Sequence, residues 1–156
     1  MLNDLWLLEN KMREINKIII HCTATPEGRH TTVEDIRRWH VNERGWSDIG
    51  YHYVVYLDGS VHKGRPIIRS GVHTKGYNRN SIGITYVGGI DKDTFKPKDT
   101  RTCEQKEALH KLLMELMCTY EKATLHGHNE FASKACPSFI VADEYKDVIN
   151  FYNDDV

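Results

Sequence analysis

The stretch N-K-I-I-I-H-C, Asn16 to Cys22, decides how the rest of the chain is read. Three β-branched isoleucines in a row, with no polar residue among them, are the pattern of a strand buried on both faces. Such a strand belongs in the middle of a sheet. This one delivers a histidine, His21, to its carboxyl end, the edge where open sheets place functional groups.

Working outward, T-A-T-P-E-G-R-H follows, with Pro26 and Gly28 as breakers. T-T-V-E then has the form of a capping box, Thr31 with Glu34, and predicts a helix with Val33, Ile36, Arg37 and His40 on one face and Gly45 as its stop. Y-H-Y-V-V-Y-L, D-G and S-V-H-K-G-R read as a β-hairpin, with Asp58-Gly59 as a tight two-residue turn. In it Tyr51, Tyr53 and Val55 are expected on one face and His52 on the other. S-I-G-I-T-Y-V is a further strand, closed by Gly88-Gly89, and the charged run after it reads as a solvated loop.

Thr102 and Gln105 make a second capping box, opening a helix to about Glu121 with Leu109, Leu112, Leu113, Leu116, Met117 and Tyr120 at helical spacing. A-T-L-H-G-H reads as a short strand, and Val141, Tyr145, Val148, Ile149 and Tyr152 mark a closing helix. Strands and helices alternate around one hairpin, without repeats or an interdomain linker. The expected fold is therefore α/β: a single domain with a central mixed β-sheet flanked by helices.

The totals exclude several classes. The chain has 156 residues, 40% hydrophobic and 28% charged, with 21 basic and 22 acidic side chains for a net charge of −1. No basic stripe suggests nucleic acid, and no run reaches the ~18 apolar residues of a membrane span. The opening M-L-N-D-L-W-L-L-E lacks a basic n-region and carries Asp4 and Glu9, so it reads as a short amphipathic helix rather than a signal peptide. Cys103 and Cys118 fall in one predicted helix, about 22 Å apart along its axis at 1.5 Å per residue, too far to bridge. Free thiols are expected.

H-G-H-N-E-F-A-S-K-A-C-P-S-F, His126 to Phe139, concentrates histidine, lysine and cysteine in one run. A catalytic zinc takes three protein ligands and leaves one position open. His21, His126, His128 and Cys136 are candidates. His126 and His128, two apart, would point the same way in an extended segment, so spacing does not choose between them. Taken singly, a histidine at a strand end also fits a backbone hydrogen bond, and a buried cysteine fits a small hydrophobe.

Six blocks in order carry a resemblance. I-I-I-H-C-T-A-T, R-G-W-S-D-I-G-Y-H-Y, D-G-S-V-H-K-G-R, H-T-K-G-Y-N-R-N-S-I-G-I, V-G-G-I-D and H-N-E-F-A-S-K-A-C-P-S-F resemble those of the zinc-dependent N-acetylmuramoyl-L-alanine amidases. That family takes in short phage lysozymes and peptidoglycan-recognition proteins. The likeness runs from about Ile15 to Tyr145, which divides the chain into an extension, residues 1–14, and an amidase domain, residues 15–156.

The resemblance implies Zn²⁺ held by His21, His128 and Cys136, with Tyr51 and Lys134 as catalytic residues and His73 in contact with substrate. It implies hydrolysis of the amide between the muramic acid lactyl group and L-alanine by zinc-activated water, in a monomer acting on peptidoglycan. Made in the cytoplasm, such an enzyme reaches the wall after release or non-classical export. Two rivals remain at this stage: a module that binds peptidoglycan without cutting it, and a regulator that binds another protein through residues 2–12. Non-cutting relatives typically replace the metal-binding cysteine, and Cys136 is present.

Overall fold

A computed structural model describes residues 13–153. The N-terminal helix expected before Arg13 lies outside the described residues. At the centre is β1 (Lys17–Cys22), paired in parallel with β5 (Ser81–Tyr86) on one side and β7 (Thr124–Gly127) on the other. β3 (Tyr53–Val55) runs parallel to β5, and β4 (Val61–Lys63) runs antiparallel to β3. The order β4-β3-β5-β1-β7 is the expected mixed sheet. Beyond the ends of β1 and β5, β2 (Thr25–Pro26) and β6 (Gly89–Ile90) form a second, two-stranded ladder.

Ile18, Ile19 and Ile20 are all fully buried, as a central strand requires. Alternation sends Ile18, Ile20 and Cys22 to one face, where they share a core with Leu109, Leu113 and Leu116 of α2 (Cys103–Thr119). Each such side chain is worth about 1.5–3 kcal/mol when fully buried. Ile19 and His21 face the other way, toward the side covered by α1 (Val33–Arg38), where Val33, Ile36, Ile49, Val54 and Val87 form a second core. The capping box of α2 is the predicted one, Thr102 with Gln105. All four cysteines are free, and Cys103 and Cys118 are exposed.

Three expectations need correction. The box that opens α1 is Thr32 with Asp35, one residue later than Thr31 with Glu34; Thr31 is buried instead. The hairpin loop is longer than two residues, because Val55 pairs with Val61. Gly59 donates to Tyr56 O and Tyr56 donates to Ser60 O, and Gly59 alone has positive φ, at 84°. This is a turn closed by a glycine bulge, with Asp58 accepting from Ser60. The closing helix is broken at Tyr145 into α3 (Val141–Glu144) and α4 (Lys146–Asn153).

That break accompanies a buried clip. The Arg101 side chain, 1% exposed, donates to Asp99 and Glu144 and to the Tyr145 hydroxyl, with its guanidinium 3.7 Å from the Phe139 ring centroid. It ties the segment before α2 to the segment that follows Cys136. Arg101→Met should lose about 2–3 kcal/mol in chemical denaturation, below the usual cost of breaking a buried pair because Asp99 and Glu144 are 27% and 45% exposed and can turn to water.

Candidate metal centre

His21 leaves the end of β1 on the α1 side of the sheet and is 1% exposed. Next to it, β7 stops at Gly127 and the chain turns into a 3₁₀ segment, His128–Glu130. That turn separates the two histidines which an extended chain would have kept together. His128 swings inward, its ring centroid 4.6 Å from that of His21. His126 stays on the outside, between Thr124 Oγ1 at 2.6 Å and Glu130 Oε1 at 2.9 Å. Glu130 also accepts from Gly127 N, so it is committed away from the cluster.

Cys136 reaches the same point from the loop before α3. The Tyr86 hydroxyl donates to Pro137 O at 2.7 Å, Ser138 Oγ donates to Gly89 O at 3.0 Å, and Cys22 N–H donates to Cys136 Sγ at 3.3 Å. The donor atoms of His21, His128 and Cys136 all lie within 4.8 Å of one another. Cys136 Sγ is 3.7 Å from His21 Nδ1. Donors at about 2.0 and 2.3 Å from a tetrahedral zinc stand about 3.5 Å apart, so the His21–Cys136 pair already has the spacing that ion needs, with His128 beside it. Two imidazoles and a thiol are also the ligand types zinc prefers.

The electrostatics suit the same purpose. Burial pushes His21 well below the usual imidazole range, helped by His73, His128 and Lys134, and pushes His128 down with help from Lys134. Neutral rings keep a lone pair to offer. The Cys136 thiol is pushed up by its hydrogen bond with Cys22 and by burial, while the Cys22 backbone N–H and Lys134 act the other way. A thiolate there calls for a cation.

Tyr51 packs with its ring centroid 5.1 Å from that of His21 and 5.6 Å from that of His40. It lies on the α1 side with Val54, not with Tyr53 and Val55 as expected, because regular strand begins only at Tyr53. Burial raises its phenol, which therefore stays protonated and able to donate. His40 holds it from behind: the chain widens into a π-turn at Trp39–Glu43, and His40 Nδ1 accepts from Gly50 N–H at 2.9 Å. His52 is buried and structural, accepting from Gly83 N–H and bonded to Arg69 O.

Tyr51, Lys134, His128 and Cys136 together line a cavity of about 220 Å³. It shares His73, Arg44 and Trp46 with a neighbouring cavity of about 510 Å³ that extends to Phe131 and Lys75. The two cavities run together past His128 and Lys134, which line both. Arg44 and Trp46 were not singled out from sequence; only their place within the block R-G-W-S-D-I-G-Y-H-Y pointed to them. A cavity of about 570 Å³ between the hairpin and α2 contains none of these groups.

Known proteins share this arrangement of sequence and fold. The endolysin of Escherichia phage T7 is 47% identical over 130 residues, covering 83% of this chain and 85% of that protein. Peptidoglycan-recognition protein SC1a of Drosophila melanogaster is 29% identical, over 82% of this chain and 70% of its own. The solved structure of N-acetylmuramoyl-L-alanine amidase LysC from Clostridium intestinale superposes with a TM-score of 0.73 at 28% identity, over 87% of this chain and 86% of that one. The family description "N-acetylmuramoyl-L-alanine amidase" matches residues 11–139, most of the polypeptide and all the cluster residues above. The chain therefore belongs to the N-acetylmuramoyl-L-alanine amidase family.

Proposed function

We propose that His21, His128 and Cys136 hold a zinc ion and that Tyr51 and Lys134 act on the bond laid across it. The protein is a peptidoglycan hydrolase, and its bond is the amide between the lactyl carbonyl of N-acetylmuramic acid and the nitrogen of L-alanine. The convergence of three donor atoms within 4.8 Å, in a cleft also lined by Tyr51 and Lys134, carries this reading.

When bound, zinc supplies two things an amide hydrolysis lacks at neutral pH: polarisation of the carbonyl, and a water whose pKa falls toward about 7. The chain's own groups do the rest. As the carbonyl carbon becomes tetrahedral its oxygen gains charge, and the Lys134 ammonium can meet that charge across the cavity. The protonated Tyr51 hydroxyl is a second donor, within a buried pocket where such interactions strengthen. The departing alanine nitrogen takes up the proton that the attacking water gives up, so Tyr51 keeps its own and remains a donor throughout. Arg44, Trp46 and Phe131 line the path along which the rest of the substrate extends.

The catalytic unit in this reading is residues 15–156, with residues 1–14 an extension, and it works as a monomer. Its route to the wall in this reading is release or non-classical export, and among the described residues no helix is long and apolar enough to cross a membrane. Metal analysis of the dialysed protein, paired with digestion of purified walls, tests the proposal. One zinc per chain and new L-alanine amino termini are expected. A chelator should stop the digestion and added zinc restore it. New reducing sugar ends without new amino termini would move the cut to the glycan; binding to walls with no cut would make the protein a recognition module.

A further inference from the structure

The outer side of His21 is as organised as the side that faces Cys136. His21 Nε2 is 2.9 Å from His73 Nδ1, and His73 Nε2 is 3.2 Å from Ser81 Oγ. The His21 and His73 rings meet edge to face, with centroids 4.9 Å apart and planes at 89°.

The slot that seats His73 is cut by glycines. A Cβ on Gly83, beside Ile19 in the sheet, would stand 2.5 Å from His73 Cδ2, and one on Gly71 would stand 2.7 Å from the same atom. His52 closes the slot edge-on at 5.9 Å. Asn78 Oδ1 accepts from the backbone N–H groups of His73 and Thr74, fixing the turn that carries the ring. Thr74 Oγ1 lies 3.0 Å from His73 Nδ1 and 3.3 Å from His21 Nε2, a longer and shared contact.

We propose that His73 is a positioning residue: its Nδ1 accepts the Nε2–H of His21, holding the His21 lone pair on Nδ1, toward Cys136. An imidazole that offers Nδ1 to a cation must carry its proton on Nε2, and that proton needs an acceptor in a buried site. His73 can be that acceptor only while its own proton is on Nε2, where Ser81 Oγ receives it. The line His21–His73–Ser81 thus sets both tautomers in one direction. The inference rests on the proposed metal site and gives His73 a task beyond touching substrate.

The test compares His73→Phe, which keeps the shape and removes the acceptor, with His73→Asn, which keeps an amide oxygen near the place of Nδ1. Zinc affinity is measured by competition with a chromophoric chelator. The tautomer of His21 is read separately by long-range ¹H–¹⁵N NMR of the metal-free protein. The phenylalanine variant should bind zinc about 10–100-fold more weakly, with the asparagine variant within about threefold of wild type on the same scale. Metal-free wild type should show His21 protonated on Nε2.

Equal weakening in both variants, or none in either, overturns the proposal. So does a wild-type His21 protonated on Nδ1, an outcome that depends on no variant folding. If wild type takes up no zinc, the metal site itself is wrong, and the NMR result still decides the His21–His73 contact.

Discussion

Cys136→Ala should leave the protein folded, free of zinc and inactive. The side chain is one of the three proposed donors, drawn from a loop held by Tyr86, Ser138 and the Cys22 N–H, and it is only partly buried against the core, where alanine keeps the Cβ. Two imidazoles alone hold zinc poorly, and with the ion goes both the activation of water and the polarisation of the carbonyl. Wall lysis should fall by at least about 10³-fold, more than the 10²–10³ that one oxyanion donor is worth. The checks are metal content after dialysis and the initial slope of a turbidity assay. A variant that keeps one zinc per chain with near-normal activity would remove Cys136 from the donor set.

Lys134→Ala should separate binding from chemistry. Lys134 is exposed at the cleft rim, two residues before Cys136, and lines the cavity with His128 and Tyr51. Its ammonium is not a donor to the metal, so zinc content should stay at one per chain. What is lost is charge facing the tetrahedral oxygen, about 2.7–4 kcal/mol, or 10²–10³ in kcat with KM little changed. Arginine at this position should recover only part of the rate, since a broad planar fork replaces a point charge. Zinc loss in Lys134→Ala, measured by the same dialysis, would overturn the division of labour between the two residues.

The parts legible in the sequence were those set by short-range rules. Ile18, Ile19 and Ile20 announced a strand buried on both faces, and Thr102 with Gln105 announced the start of α2; both stand as read. Thr31 with Glu34 was read as the box that opens α1, and the box that forms is Thr32 with Asp35. The choice fell to Thr32 because Thr31 packs inward. The hairpin turn was misread because D-G fits both a two-residue turn and a bulged loop, and only the pairing of Val55 with Val61 separates them.

The cluster was legible through resemblance more than through spacing. What distinguishes His128 from His126 is the point where β7 gives way to a 3₁₀ turn, a boundary one residue wide that no periodicity marks. Tyr51 reached the α1 side for a similar reason, since it precedes the regular strand. The outer partner of His21 was equally hidden: His21 and His73 are 52 residues apart, and the pairing of β5 with β1 puts them side by side.

The position of β1 in the sheet has a consequence for synthesis. Lys17 pairs with Ser81 and with Thr124, so during synthesis β1 waits for partners made much later, and His21 waits for Cys136, later still. On the reading proposed above, a polypeptide stopped before that cysteine lacks one of the three donors for the metal, whichever strands it already carries. Truncated products would on that reading be inert toward a wall, because the third donor is added only after β7.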